Sequence, residues 1–174
     1  MPFIDVPDGD APNMERAFAL RPNVLQAWQG LNEAIKANAD FRRHELATLA
    51  AARRLRSSYC CLAHGTVLAE RFYDFEAVIA LPDGLDDADR AVMALAEKVV
   101  DDATSITQSD IDGLRAHGLS DSQITDVVLA AAARCFFSKA LDALGAQPDA
   151  EYLELPEPIR DALTVGRPIE PART

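Results

Sequence analysis

The sequence predicts an all-α protein, and three observations carry that prediction. Apolar residues recur at spacings of three and four along most of the chain, the repeat of a single helix face. Leu and Ala abound, aromatics make up only 6%, and the Thr/Tyr/Phe alternation of strands is scarce. Proline, serine and glycine stand where helical patterns begin and end.

The first dozen residues are Pro- and Asp-rich and read as an extended arm, taken here as residues 1–14. Arg21-Pro22 then opens a helix, because a first-turn proline lacks only an N–H that has no intrahelical acceptor anyway. Val24, Leu25, Trp28, Leu31 and Ile35 form its apolar face, and the pattern ends near Asn38. A second helix is predicted from Arg42 to Leu55, with Leu46, Leu49 and Ala50 turned inward. Ser57-Ser58 interrupts the period and offers N-cap hydroxyls for a third helix, from about Tyr59 to Phe75. Leu81-Pro82-Asp83-Gly84 predicts a turn. The helix from Asp86 to Val100 has an acidic first turn that suits the helix dipole, with Val92, Leu95, Ala96 and Val99 inward. Thr107 to His117 is a short helix stopped by Gly118. Ser120-x-x-Gln123 fits a capping box for the longest helix, which ends at Gly145. The Pro- and Glu-rich tail, residues 150–174, is expected to wrap a surface or a partner subunit. With 174 residues and no internal repeat, the chain is read as a single domain.

Charge and cysteine usage exclude several function classes. With 28 acidic against 17 basic residues the formal charge is -11, which opposes binding to nucleic acid or an anionic membrane. The longest uncharged apolar run, Val127 to Ala133, is far short of the ~20 residues a spanning helix needs. The acidic, Pro-broken start does not resemble a signal peptide, so a soluble, cytoplasmic protein is expected. Three unevenly spaced cysteines do not make a disulfide framework. Adjacent Cys60 and Cys61 also lack the C-x2-C spacing that chelates zinc, and neither metal nor cofactor is predicted.

Chemistry concentrates between His44 and Gly65. A helix capped at Ser57 or Ser58 puts Cys60 in its first turn, where backbone N–H groups and the dipole favour a thiolate. His64 lies four residues on and shares that helical face. Glu45, on the preceding helix, reaches the imidazole if the chain doubles back, giving a Glu–His–Cys relay. The same residues also fit a plainer account. In that account the cysteines fill core, His64 is a hydrogen-bonded structural histidine, and Glu45 pairs on the surface with Arg42 or Arg43.

The run Glu45-x11-Ser57-x-Tyr59-Cys60-x3-His64 resembles the signature of the AhpD-like, or carboxymuconolactone decarboxylase, superfamily. The similarity is greatest to its branch of peroxidase-related enzymes. It extends through Ala19-Leu20-Arg21-Pro22, Gly118-Leu119-Ser120-Asp121, Phe136-Phe137 and Ala143-Leu144-Gly145-Ala146-Gln147-Pro148-Asp149, from about residue 15 to 155. The resemblance implies an AhpD-like helical bundle that assembles into a homo-oligomer (dimer, trimer or hexamer). It also implies thiol-dependent reduction of a hydroperoxide, recharged by an external thiol or dithiol. Carried over, Glu45 is the relay carboxylate, Cys60 the inner cysteine and His64 the relay histidine. Auxiliary positions are Ser57, Tyr59, Cys61 and Cys135.

Two departures matter. Ser57 stands where the outer cysteine of the Cys-x-x-Cys pair belongs, so that pair's disulfide cannot form, and Ser138-Lys139 replaces an Asn-Arg common among relatives. Cys61 is a poor resolving thiol, since a vicinal disulfide strains the backbone, and Cys135 serves only if its helix packs beside the motif. Two other functions fit the sequence. One is acid–base chemistry on a small organic acid or lactone, with a cation drawn from Arg53, Arg54 or Arg56; the other is a non-catalytic oligomer with a vestigial thiol. Trp28, Phe72, Phe75, Phe136 and Phe137 add to the expectation of self-association.

Overall fold

A computed structural model of the chain describes residues 3–6 and 9–172. Part of the predicted N-terminal arm (Met1, Pro2, Pro7 and Asp8) and the last two residues of the tail lie outside them. Helices dominate, and no strand occurs among the described residues. In order they are α1 (Asn13–Ala17), α2 (Pro22–Lys36), α3 (Phe41–Arg54), α4 (Ser58–Arg71), α5 (Phe75–Ala80), α6 (Asp87–Asp102), α7 (Gln108–Ala116), α8 (Asp121–Leu144) and α9 (Glu157–Leu163). Short 3-10 turns cover Ala103–Ser105 and Ala150–Glu154.

The core is built around α3, which packs against α4, α6 and α8. Its run from Leu46 to Ala52 is buried, and the alanines there let neighbouring backbones approach closely. Asp40 caps its start by accepting from Arg43 N at 2.9 Å. The capping box foreseen for α8 is present, with Ser120 N donating to Gln123 Oε1 at 2.9 Å, and Gly145 ends that helix at φ 84°. The inward face of α6 holds Val92, Leu95, Ala96 and Val99, all buried.

Three expectations need correction. The third predicted helix is two, because Asp74 accepts from Ala77 N at 2.8 Å and restarts the chain as α5. Leu31 does not belong to the inward face of α2; it is 53% exposed, whereas Leu25, Trp28 and Ile35 are buried. Neither Ser57 nor Ser58 caps α4 with its side chain. Ser58 Oγ instead accepts from Gly166 N at 2.8 Å, tying the tail to the start of α4. That tail folds back on its own chain. α9 packs on α4 and α5, and Ile159 and Leu163 are buried. The space for Leu163 exists because position 65 is glycine; a Cβ there meets Leu163 Cδ1 at 2.5 Å.

Candidate active site

Three helices bring the chemical groups together: Glu45 from α3, Cys60 and His64 from α4, and Arg134 and Ser138 from α8. The three residues between α3 and α4 reverse the chain through a Schellman turn. Ser57 N donates to Ala52 O at 3.0 Å and Arg56 N to Arg53 O at 3.0 Å. Arg56 adopts φ 56°, in the left-handed region that usually calls for glycine, and its Nε donates to Val165 O at 3.3 Å.

The reversal sets Glu45 against His64, whose Nδ1 lies 2.5 Å from Glu45 Oε2. Glu45 is 1% exposed, and Lys36 holds its second oxygen at 3.1 Å. Burial alone would raise this carboxyl, but the His64 hydrogen bond and the neighbouring cations hold it down at about 2. Burial likewise lowers the His64 imidazole; the Glu45 bond opposes this, and the Arg134 cation reinforces it. On the other side of the ring, Arg134 Nη1 sits 3.2 Å from His64 Nε2. A guanidinium only donates, so Nε2 must accept and the imidazole carries its proton on Nδ1, facing Glu45.

Cys60 Sγ is buried, and its polar neighbours come from α8. Ser138 Oγ donates to it at 3.1 Å, and Arg134 Nη1 lies 4.0 Å away. No His64–Sγ hydrogen bond occurs among the described residues. The predicted relay is therefore closed between Glu45 and His64, while Arg134 occupies the imidazole nitrogen expected to face the thiol. A cavity of about 150 Å³ opens beside Sγ, lined by Trp28, Asn32, Tyr59, Cys60, His64, Arg134 and Phe137 with Met14 and Ala63. Trp28 and Phe137 stack at 3.8 Å, and the guanidinium lies over both rings.

The auxiliary positions take separate places. Tyr59 lines the cavity, but its hydroxyl donates outward to Asp149 Oδ2 at 2.5 Å and accepts from Met14 N. Burial, followed by the Asp149 bond, raises that phenol well above its ordinary range. Ser57 is buried with its hydroxyl beside the Asp142 carboxyl. Burial pushes the Cys61 thiol up to about 12, with Cys60 adding and Arg53 opposing. All three cysteines are free, and neither Cys61 nor Cys135 lines the cavity beside Cys60. The arginines of the acid–base alternative are engaged elsewhere: Arg53 donates to the carbonyls of Val78 and Leu81, Arg54 pairs with Asp101, and Arg56 Nε donates to Val165 O. Arg42 and Arg43, the surface partners expected for Glu45, pair with Asp89 instead.

No protein-family model and no curated protein sequence matches the chain. Solved structures do. An uncharacterised peroxidase-related protein with an alkylhydroperoxidase AhpD core, from Ralstonia eutropha JMP134, superposes with a TM-score of 0.72 at 22% identity, over 81% of this chain and 78% of that one. The fold is AhpD-like. A second peroxidase-related protein, from Silicibacter sp. TM1040, reaches 0.72 at 19% identity over 88% and 94% of the two chains. The debrominase Bmp8 bound to 2,3,4-tribromopyrrole shares the fold at 0.69 and 18% identity, over 89% and 82%. At these identities the likeness is one of fold.

Within this AhpD-like frame, sequence reasoning missed Arg134 and Lys36, and it marked Ser138 only as a departure from the pattern of relatives. One signal for Arg134 was present: it is the only charge between Val127 and Phe137, in a stretch otherwise apolar except for Cys135. A lone cation there must face either solvent or a polar site. Ser138 follows four residues later on the same face of α8.

Proposed function

We propose that the chain is a thiol-dependent hydroperoxidase working through Cys60 alone. What supports this reading best is the convergence on one buried sulfur of a hydroxyl donor (Ser138) and a guanidinium (Arg134), at the edge of a small cavity. Such donors match an anionic sulfur and equally the alkoxide that leaves it. The thiolate attacks the distal peroxide oxygen, the O–O bond breaks, and its electron pair departs on the alkoxide. That alkoxide takes up the proton the thiol released to solvent, leaving Cys60 as a sulfenic acid. An external thiol condenses with the sulfenic acid, releasing water and forming a mixed disulfide. A second thiol then frees Cys60 and leaves as the oxidised disulfide. His64, neutral and fixed by Glu45, holds Arg134 at 3.2 Å and so positions the cation beside the sulfur.

Peroxide consumption measured with dithiothreitol as reductant tests the reading. Wild type is expected to turn over and Cys60→Ser to fall to the uncatalysed rate, while Cys61→Ser and Cys135→Ser keep most of the activity. Equal rates in wild type and Cys60→Ser reject it. Arg134 also supplies the cation that acid–base chemistry on an organic acid requires. That second reading predicts turnover of a lactone or acid that survives complete alkylation of the thiols.

A further inference from the structure

Arg134 is 3% exposed and forms no ion pair among the described residues. Its polar neighbours are the Asn32 oxygen at 3.1 Å, His64 Nε2 and Cys60 Sγ. A buried cation without a counter-ion is costly, and the aromatic faces beside it compensate only in part. A second group in the same cavity has the same deficit: the indole Nε1–H of Trp28 is buried and finds no acceptor among the described residues. The Arg134 guanidinium carbon lies 4.8 Å from the Trp28 ring centre. A permanent cation and an N–H donor without an acceptor, on two stacked side chains that line one cavity, match two oxygens that share a negative charge.

The nearby anions do not fill this role. Glu45 lies beyond His64 and is taken up by His64 and Lys36, and the Asp149 oxygens accept from Tyr59 and from Asn13 N. We infer that Arg134 and Trp28 form a carboxylate seat, and that the substrates of this site are small organic hydroperoxides bearing a carboxylate. The reaction half of this inference rests on the thiol reading above; the seat rests on geometry alone. A cavity of about 150 Å³ has room for a group of roughly the size of benzene or a short-chain acid.

Trp28 is the sole tryptophan, so its fluorescence reports directly on the seat. Titration with benzoate and with the size-matched neutral benzyl alcohol is expected to give a Kd at least tenfold lower for benzoate. Arg134→Met is expected to abolish that preference and Arg134→Lys to keep part of it, because an ammonium supplies the charge without the fork. Equal affinities in the wild type, or a preference retained in Arg134→Met, overturn the seat. The wild-type comparison with Arg134→Lys decides the matter if Arg134→Met does not fold. In the kinetic arm, monoperoxysuccinate and perpropionate differ only in the remote carboxylate, and the KM of the former is expected to be about tenfold lower. Turnover of both peracids with no such preference counts against the seat and leaves the thiol reading intact. A benzoate preference without peroxide turnover supports the seat and rejects the thiol reading.

Discussion

Ser138 shows how much a single hydroxyl contributes at this site. Its Oγ is the nearest donor to Cys60 Sγ, at 3.1 Å, and the residue is fully buried, so no solvent molecule readily replaces it. In the proposed cycle that sulfur is anionic, and a hydrogen bond to a charged group contributes about 1.5–3 kcal/mol, roughly tenfold or more in an equilibrium. Ser138→Ala is therefore expected to slow alkylation of Cys60 by iodoacetamide about tenfold at pH 7, followed peptide by peptide so that Cys135 serves as the internal control. An unchanged Cys60 rate removes Ser138 from the site's chemistry. In the sequence this residue is visible only as a departure from the family pattern. Hydrogen bonds across 78 positions leave no local periodicity to read, whereas Cys60 and His64, four apart on one helix, do.

Helix α3 carries the acid sensitivity of the fold. His44 is buried with neither ring nitrogen hydrogen-bonded among the described residues, and burial, opposed by Glu45, lowers it to about 4. The unfolded histidine titrates near its ordinary 6.5, so the unfolded chain binds a proton that the folded chain refuses. This stability is complete above about pH 6.5 and is lost as pH falls towards 4. Glu45, held at about 2 in the fold, adds stability that is complete above its ordinary 4.5 and is lost as pH falls towards 2. Between pH 7 and 4.5 the histidine effect dominates, and at roughly 1.4 kcal/mol per unit it amounts to about 2–3 kcal/mol for His44. Urea unfolding at the two pH values should show at least that loss in wild type, since burial lowers His64 in the same direction, and His44→Leu should show the His44 share of it removed. Equal losses in the two proteins exclude His44 as the cause. The helix itself was legible from Leu46, Leu49 and Ala50, and the doubling back that joins Glu45 to His64 was anticipated. The turn that accomplishes it was not, because Arg56 holds a left-handed conformation that the sequence signals only through glycine or asparagine.

At the scale of the whole molecule, the tail and the outer faces raise the question of what covers them. The Pro-rich stretch suggested a strap over another surface. The actual determinants are Gly65, which leaves room for Leu163, and Gly166, where a Cβ would meet Arg56 O at 2.0 Å. These close approaches depend on contacts distant in sequence. The aromatics first counted together also separate into two groups. Trp28 and Phe137 stack inside the chain, whereas Phe72 remains 39% and Phe136 48% exposed. Phe41 and Phe72 meet edge to face at 5.6 Å on the outside of the fold. Leu129 and Phe136, seven residues apart, lie on one outward stripe of α8, and Leu20 and Leu31 are exposed as well. A soluble monomer rarely presents this many large apolar groups in patches, and a second copy of the chain is the occupant we expect. Light scattering at micromolar concentration should give a multiple of 18.9 kDa. Leu129→Glu with Phe136→Glu should shift the mass towards the monomer if the α8 stripe is the contact. A wild-type mass of 18.9 kDa rules self-association out, and an oligomer untouched by the double substitution moves the contact to the Phe41–Phe72 side.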